Sequence, residues 1–247
     1  MGKYAAVILD MFDTLVNFRS IHLPLVRMNG REVRTTSPFV YEALMPLCAS
    51  IPFEEFFNAF LASYRSAEEI RNREHREVTL RDRFHMLFTK LGIQEGPDAA
   101  AIMEAGIAEH TRQLIRAMEF PESHRNLLDR LQPRYRLAVI SNFDHGPTVQ
   151  TALALYRIRD RFETVVVSAD TGWRKPHREI FHEAFRQMRI GPSDAIFIGD
   201  TPEVDVLGAQ AVGMDVIWID DGTKTLPEGI PPPTHTVGNL LEAERLL

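Results

Sequence analysis

Five short apolar runs limit what this chain can fold into: Val7 to Leu9, Leu137-Ala138-Val139-Ile140, Thr164-Val165-Val166-Val167, Ala195-Ile196-Phe197-Ile198 and Asp215-Val216-Ile217-Trp218-Ile219. Each is too short for a helix, rich in β-branched residues, and bounded by Gly, Asp, Asn or Ser. Such runs are strands buried on both faces of a parallel sheet. Between them lie helical patterns, for example Ile180-Phe181, Ala184-Phe185 and Met188. The alternation predicts an α/β fold with right-handed crossovers. Ligands of such sheets sit beyond the carboxyl ends of the strands. Asp10, Ser141 and the pair Gly199-Asp200 all fall at such ends.

From about Phe18 to Phe120 the strand-like runs give way to helical stripes. Phe53, Phe56, Phe57, Phe60, Leu61 and Tyr64 are spaced three or four apart, and Leu80, Phe84, Leu87, Phe88 and Leu91 repeat the pattern before Gly92. Ile102, Gly106, His110, Leu114 and Ile115 predict a further helix after Pro97. The chain therefore reads as a sheet core, residues 1–17 and 121–247, interrupted by an all-helical insert, residues 18–120. Pro231-Pro232-Pro233 is a stiff connector, followed by a last helix over 239–247.

Composition narrows the function classes. A formal charge of −6 gives no support to nucleic-acid binding, so an anionic substrate must be met by local cations. The single Cys48, among Leu44, Met45 and Leu47, reads as a small buried hydrophobe and suits a reducing compartment. Zinc spacing is absent, and no apolar stretch is long enough to span a bilayer. Met1-Gly2 is weak as a myristoylation signal because Ala6 stands where Ser or Thr is wanted. The expected location is the cytoplasm. Nothing in the sequence bears on oligomeric state.

The residues at the strand ends carry the chemistry. Asp10 is a carboxylate at the tip of a buried strand, costly unless paired or employed, and can form a covalent intermediate. Thr14 offers a hydroxyl to the nucleophile, a phosphate or the loop backbone. Ser141 and Asn142 form a turn whose hydroxyl and N–H groups suit a phosphate oxygen, although the pair is common in turns. Lys175, next to Pro176, can neutralise the nucleophile and the charge growing on a transferred group. Arg174, His177 and Arg178 read as a solvated cationic loop, His145 as an exposed loop histidine, and Trp173 as a pocket wall or core cover. Asp200 and Asp205, five apart after a buried strand, make with Asp10 a cluster of hard oxygen ligands suited to Mg²⁺. Asp205 can also anchor its helix.

The pieces Asp10-Met11-Phe12-Asp13-Thr14-Leu15, Ser141-Asn142, Lys175-Pro176 and Gly199-Asp200 with Asp205 resemble, in order and spacing, the four signatures of the haloacid dehalogenase superfamily. The resemblance covers the core and extends through Gly208-Ala209-Gln210-Ala211-Val212-Gly213-Met214. It implies a Rossmann-like core in which Asp10 attacks, Asp200 and the backbone carbonyl of Phe12 hold Mg²⁺, and Asp205 supports the metal. Ser141 and Lys175 would hold a phosphate. The insert resembles the family's first cap class, which selects the substrate. A small anionic metabolite is the expected partner.

Phe12 departs from the pattern. Phosphatases of the family carry there an Asp that protonates the leaving group, help worth about 10²–10⁴-fold. Asp13, one residue along, reads as structural. Three readings follow: an Mg²⁺-dependent phosphatase, a metal-independent 2-haloacid dehalogenase, or a weakly catalytic binder of phospho-ligands or partners. Relatives with dehalogenase activity also place an aromatic residue at this position, but they replace the carboxylate that this chain keeps as Asp200. The Arg-rich stretch Arg65 to Arg83, interspersed with Glu68, Glu69, Glu74 and Glu77, reads as a salt-bridged solvated face, and Arg27 to Arg34 as a better place to meet an anionic substrate.

Overall fold

The computed structural model describes residues 3–28, 30–94 and 96–247, so the Met1-Gly2 reading lies outside the described residues. Six strands form the central sheet: β1 (Ala6–Leu9), β2 (Arg136–Ser141), β3 (Thr164–Val167), β4 (Ala195–Gly199), β5 (Asp215–Ile219) and β6 (His235–Val237). Their order is β6-β5-β4-β1-β2-β3, and every neighbouring pair is parallel. The contiguous apolar runs follow from burial on both faces: all four residues of β1 and all five of β4 are buried. Each fully buried Ile, Leu or Phe stabilises the fold by about 1.5–3 kcal/mol. The helices Gly146–Leu155 and Arg178–Met188 are crossovers between strands, and Phe181, Ala184 and Met188 pack with Ile8, Ile140 and Phe197.

Register positions the chemistry. Leu9 at the end of β1 is level with Val139 of β2 and Ile198 of β4. One or two residues beyond that line the chain reaches Asp10, Ser141 and Gly199-Asp200, side by side at one sheet edge.

Contacts divide the chain into two compact units. The first comprises Met1–Asn17, His75–Glu77 and Phe120–Leu247; the second comprises Phe18–Glu74 and Val78–Glu119. Residues 75–77 thus fold with the sheet core, although sequence places them inside the insert.

The second unit contains the helices Ser37–Ala43, Phe53–Glu74, Leu80–Leu91 and Pro97–Arg116 around a core that includes Leu44, Phe56, Phe60, Phe84 and Ile107. Thr79 and Asp82 form a capping box, and Gly92 ends its helix at φ 66°. A Cβ on Gly106 would fall 2.8 Å from Leu44, so that close helix approach requires glycine. The unit also holds an antiparallel hairpin, Leu25–Met28 with Arg31–Arg34, which a purely helical reading does not contain. Most of its residues are exposed, so no period-two apolar signal marks it. This hairpin spans the Arg27 to Arg34 segment; Arg27 pairs with Glu32, and Asn29 lies outside the described residues.

The Arg-rich stretch is not uniformly solvated. Arg73 pairs with Glu74 and Arg81 with Glu104 at the surface. Arg71 is buried, donating to Val78 O at 2.6 Å and Glu68 at 2.6 Å. Arg83 is buried over Phe60 and beside His110. Long side chains bury apolar stems, so charge alone does not reveal which arginine faces water. Cys48 is buried, and burial pushes its thiol up to about 11. The last helix is a 3₁₀ helix, Leu240–Leu246, capped by Asn239. Among the described residues no helix is long and apolar enough to cross a membrane.

Candidate active site

Asp10 leaves β1 buried, with its backbone N–H donating to Ile198 O at 2.8 Å. Lys175 Nζ reaches Asp10 Oδ1 at 2.5 Å and Asp205 Oδ1 at 2.8 Å. Burial, opposed by Lys175 and reinforced by Asp205 and Asp200, pushes the Asp10 carboxyl up to about 7. At Lys175 burial works against the ammonium, but Asp10 and Asp205 outweigh it and hold its pKa above the ordinary value. Two carboxylates share that one ammonium, and repulsion between them disfavours the charged form of Asp10.

Asp205 is fixed from both sides. Its Oδ2 accepts the N–H groups of Asp200 at 3.1 Å and Thr201 at 2.9 Å. A Cβ on Gly199 would lie 2.5 Å from that carboxylate, so only glycine allows the approach. The turn from Pro202 to Val206 is a single π-helical turn, and Asp205 is buried within it. The anchoring role expected of Asp205 is therefore real.

Ligand oxygens of Asp10, Asp200 and Asp205 all lie within 4.8 Å of one another. An all-oxygen anionic set of this kind fits a hard divalent cation such as Mg²⁺. Ser141 Oγ is fully buried with no hydrogen-bond partner among the described residues. A buried hydroxyl left unsatisfied is costly, and a ligand oxygen at this place would satisfy it.

Several neighbouring side chains are engaged with the scaffold. Asn142 uses both ends of its amide on Lys175: Nδ2 donates to Lys175 O at 3.0 Å, and Lys175 N donates to Oδ1 at 2.7 Å. The Asn side chain therefore holds the lysine backbone. Thr14 is buried and donates to Asp200 Oδ1 at 3.4 Å, so its hydroxyl meets the acidic cluster. Phe12 is half-buried and stacks on Phe143 with ring centroids 5.0 Å apart. Asp13 is exposed, at φ 59° in the turn after β1. His145 is half-buried and bonded through Nδ1 to Thr148. Arg174 is not a solvated cation but pairs with Glu77 at 2.5 Å. His177 accepts the N–H of Glu179 at the start of its helix and stacks on Trp173.

Sequence reasoning missed Lys224. Its ammonium pairs with Asp200 Oδ2 and donates to Thr201 Oγ1 at 2.9 Å. The one available signal was its position in the loop beyond the carboxyl end of β5. Glu77 was also missed, its partner Arg174 lying far along the chain.

Residues 51–219 match the family model of the haloacid dehalogenase-like hydrolases. Pyrimidine 5'-nucleotidase YjjG of Escherichia coli is 33% identical over 123 residues, 49% of this chain and 54% of that protein. Glyceraldehyde 3-phosphate phosphatase of Pyrococcus furiosus is 32% identical over 141 residues, 56% of this chain and 57% of that protein. The chain thus matches little more than half the length of these curated relatives. A magnesium-bound crystal structure of the HAD-hydrolase YfnB from Bacillus subtilis shares the fold, with TM-score 0.62 and 21% identity over 100% of this chain and 99% of that one. By the family match and the shared fold, this chain belongs to the haloacid dehalogenase-like hydrolases.

Proposed function

We infer that the protein is an Mg²⁺-dependent phosphatase of a small phosphorylated metabolite, acting through an aspartyl-phosphate on Asp10. The observation that carries this reading is the Lys175 ammonium held 2.5 Å from a buried Asp10 carboxylate, beside Asp200 and Asp205. Curated relatives that act on a phosphorylated sugar or a nucleotide support it.

Asp10, Asp200 and the backbone carbonyl of Phe12 would hold the cation, with Asp205 in support. When bound, Mg²⁺ offsets the charge of the phosphoryl group. An Asp10 oxygen attacks phosphorus, the bond from phosphorus to the leaving oxygen breaks, and an acyl phosphate forms. Lys175 stabilises the charge on the transferred group, and the Ser141 hydroxyl donates to one of its oxygens. Water then attacks phosphorus, releasing phosphate and restoring the carboxylate. Phe12 supplies no proton, so substrates whose leaving oxygen departs unprotonated are favoured. Selection of the substrate by the helical insert is part of the proposal. The formal charge of −6 argues against a nucleic-acid partner, and the single buried Cys48 suits the cytoplasm.

The test is hydrolysis of p-nitrophenyl phosphate, expected to require Mg²⁺ and to stop in Asp10→Asn. A second reading, metal-independent dehalogenation of 2-haloacids, rests on the aromatic Phe12, because halide leaves without a proton. Halide release in the presence of a chelator would favour it over the phosphatase.

A further inference from the structure

Glu77 lies in the middle of the insert's sequence but folds with the sheet core, and its side chain is wholly buried. The three residues His75–Glu77 run antiparallel beside the segment that leads into Lys175. Glu77 N donates to Gly172 O at 3.0 Å, Arg174 N donates to His75 O at 2.9 Å, and Arg76 bridges Trp173.

The Glu77 carboxylate then ties two loops together. Arg174 Nη1 donates to Oε2 at 2.5 Å, and the Ser168 hydroxyl donates to the same oxygen. Ser168 Oγ in turn accepts the N–H of Phe143 at 2.9 Å. Phe143 follows Asn142, whose amide clamps the Lys175 peptide. Through Ser168 the Glu77 carboxylate thus braces the turn carrying Ser141, and through Arg174 the loop carrying Lys175. Charge-assisted bonds of this kind are about twice as strong as neutral ones. Half-buried Arg174 without its carboxylate would be a poorly compensated cation.

We propose that Glu77 is a positioning residue for hydrolysis: acting through Arg174 and Ser168, it holds Lys175 and the Ser141 turn in register with Asp10. The proposal rests on the phosphatase reading above and deepens it. Misplacing a reacting group by about 1 Å can cost 10²-fold in rate. Glu77→Ala is therefore expected to lower kcat by about 10- to 10²-fold while KM stays within about twofold. Glu77→Asp, which keeps the charge on a shorter arm, recovers part of that loss. Ser168→Ala severs the link to Phe143 and lowers kcat in the same way, should Glu77→Ala fail to fold. Crystal structures of the variants supply a readout independent of turnover, in which Lys175 Nζ leaves contact with Asp10.

Folded Glu77→Ala or Ser168→Ala protein with wild-type kcat, or with Lys175 still against Asp10, overturns the proposal. A rise in KM alone does so too. If the wild type shows no Asp10-dependent phosphatase activity, the functional reading fails instead, and the Lys175 position in the variant crystals decides the positioning claim.

Discussion

The side-chain amide of Asn142 and the peptide of Lys175 are joined reciprocally, Nδ2 to O at 3.0 Å and N to Oδ1 at 2.7 Å. An asparagine at the end of one strand thereby sets the backbone of a loop 33 residues away, from which the Lys175 side chain reaches Asp10. Each bond contributes about 0.5–1.5 kcal/mol net. Asn142→Ala removes both, and should lower stability by about 1–3 kcal/mol in urea unfolding. It should also lower kcat, because Lys175 loses its support.

Lys224 pairs with Asp200, a carboxylate that the proposed divalent cation would also need. The lysine side chain is 40% exposed, so the pair is worth at most about 1 kcal/mol. Lys224→Met is expected to tighten Mg²⁺ binding by up to about fivefold in isothermal titration calorimetry, by removing that competitor. Weaker binding in the variant would show instead that Lys224 helps to build the cation site.

Much of this arrangement can be seen in the sequence, for identifiable reasons. Strands buried on both faces must be continuous apolar runs, and a charged or hydroxyl residue breaking such a run stands out; Asp10, Ser141 and Asp200 were visible in that way. Lys224 lies in a loop with no period, where charge alone cannot say what it meets. Glu77 sits in a stretch of alternating acids and bases, and the pattern that fits a solvated face also hides a carboxylate whose partner is 97 residues on. The hairpin over Leu25–Met28 and Arg31–Arg34 buries too little on either face to leave an alternating pattern. The Asn142 amide shows a further limit: a turn residue at a strand end can spend its side chain on the scaffold.

On the proposed mechanism, Phe12 stands where a proton donor would serve the leaving group. Phe12→Asp should raise phosphatase turnover, by up to about 10²-fold or more for alkyl phosphates, whose leaving oxygen most needs a proton. Aryl phosphates should gain less. A series of leaving groups measured on both proteins checks this: the wild-type rate should fall steeply as the leaving oxygen becomes more basic, and the variant's rate should fall less. The substitution also gives up the Phe143 stack, at a cost of about 0.5–1.5 kcal/mol.

Asp215 ties the start of β5 to the chain's beginning by accepting from Lys3 Nζ at 2.7 Å and Tyr4 Oη at 2.8 Å. The bond from Lys3, and then that from Tyr4, holds its carboxyl below the ordinary value of 3.8. A folded-state pKa below the unfolded one gives stability that is present above the unfolded value and lost as pH falls through the folded value. Asp215→Asn should therefore lower Tm slightly at neutral pH, with the difference from wild type closing as pH drops below about 4. Thermal melts across that range check it. A difference that persists at low pH would assign the effect to shape instead of charge.

The aspartyl-phosphate can be tested directly by acid-quenching the enzyme during turnover with p-nitrophenyl phosphate and Mg²⁺, then mapping the peptides by mass spectrometry. Phe12 offers no base to the attacking water, so the intermediate should accumulate as one phosphoryl group on the peptide containing Asp10, absent in Asp10→Asn. An active enzyme whose only phosphoryl group sits on another residue, or an Asp10→Asn protein that still turns over, would contradict the account.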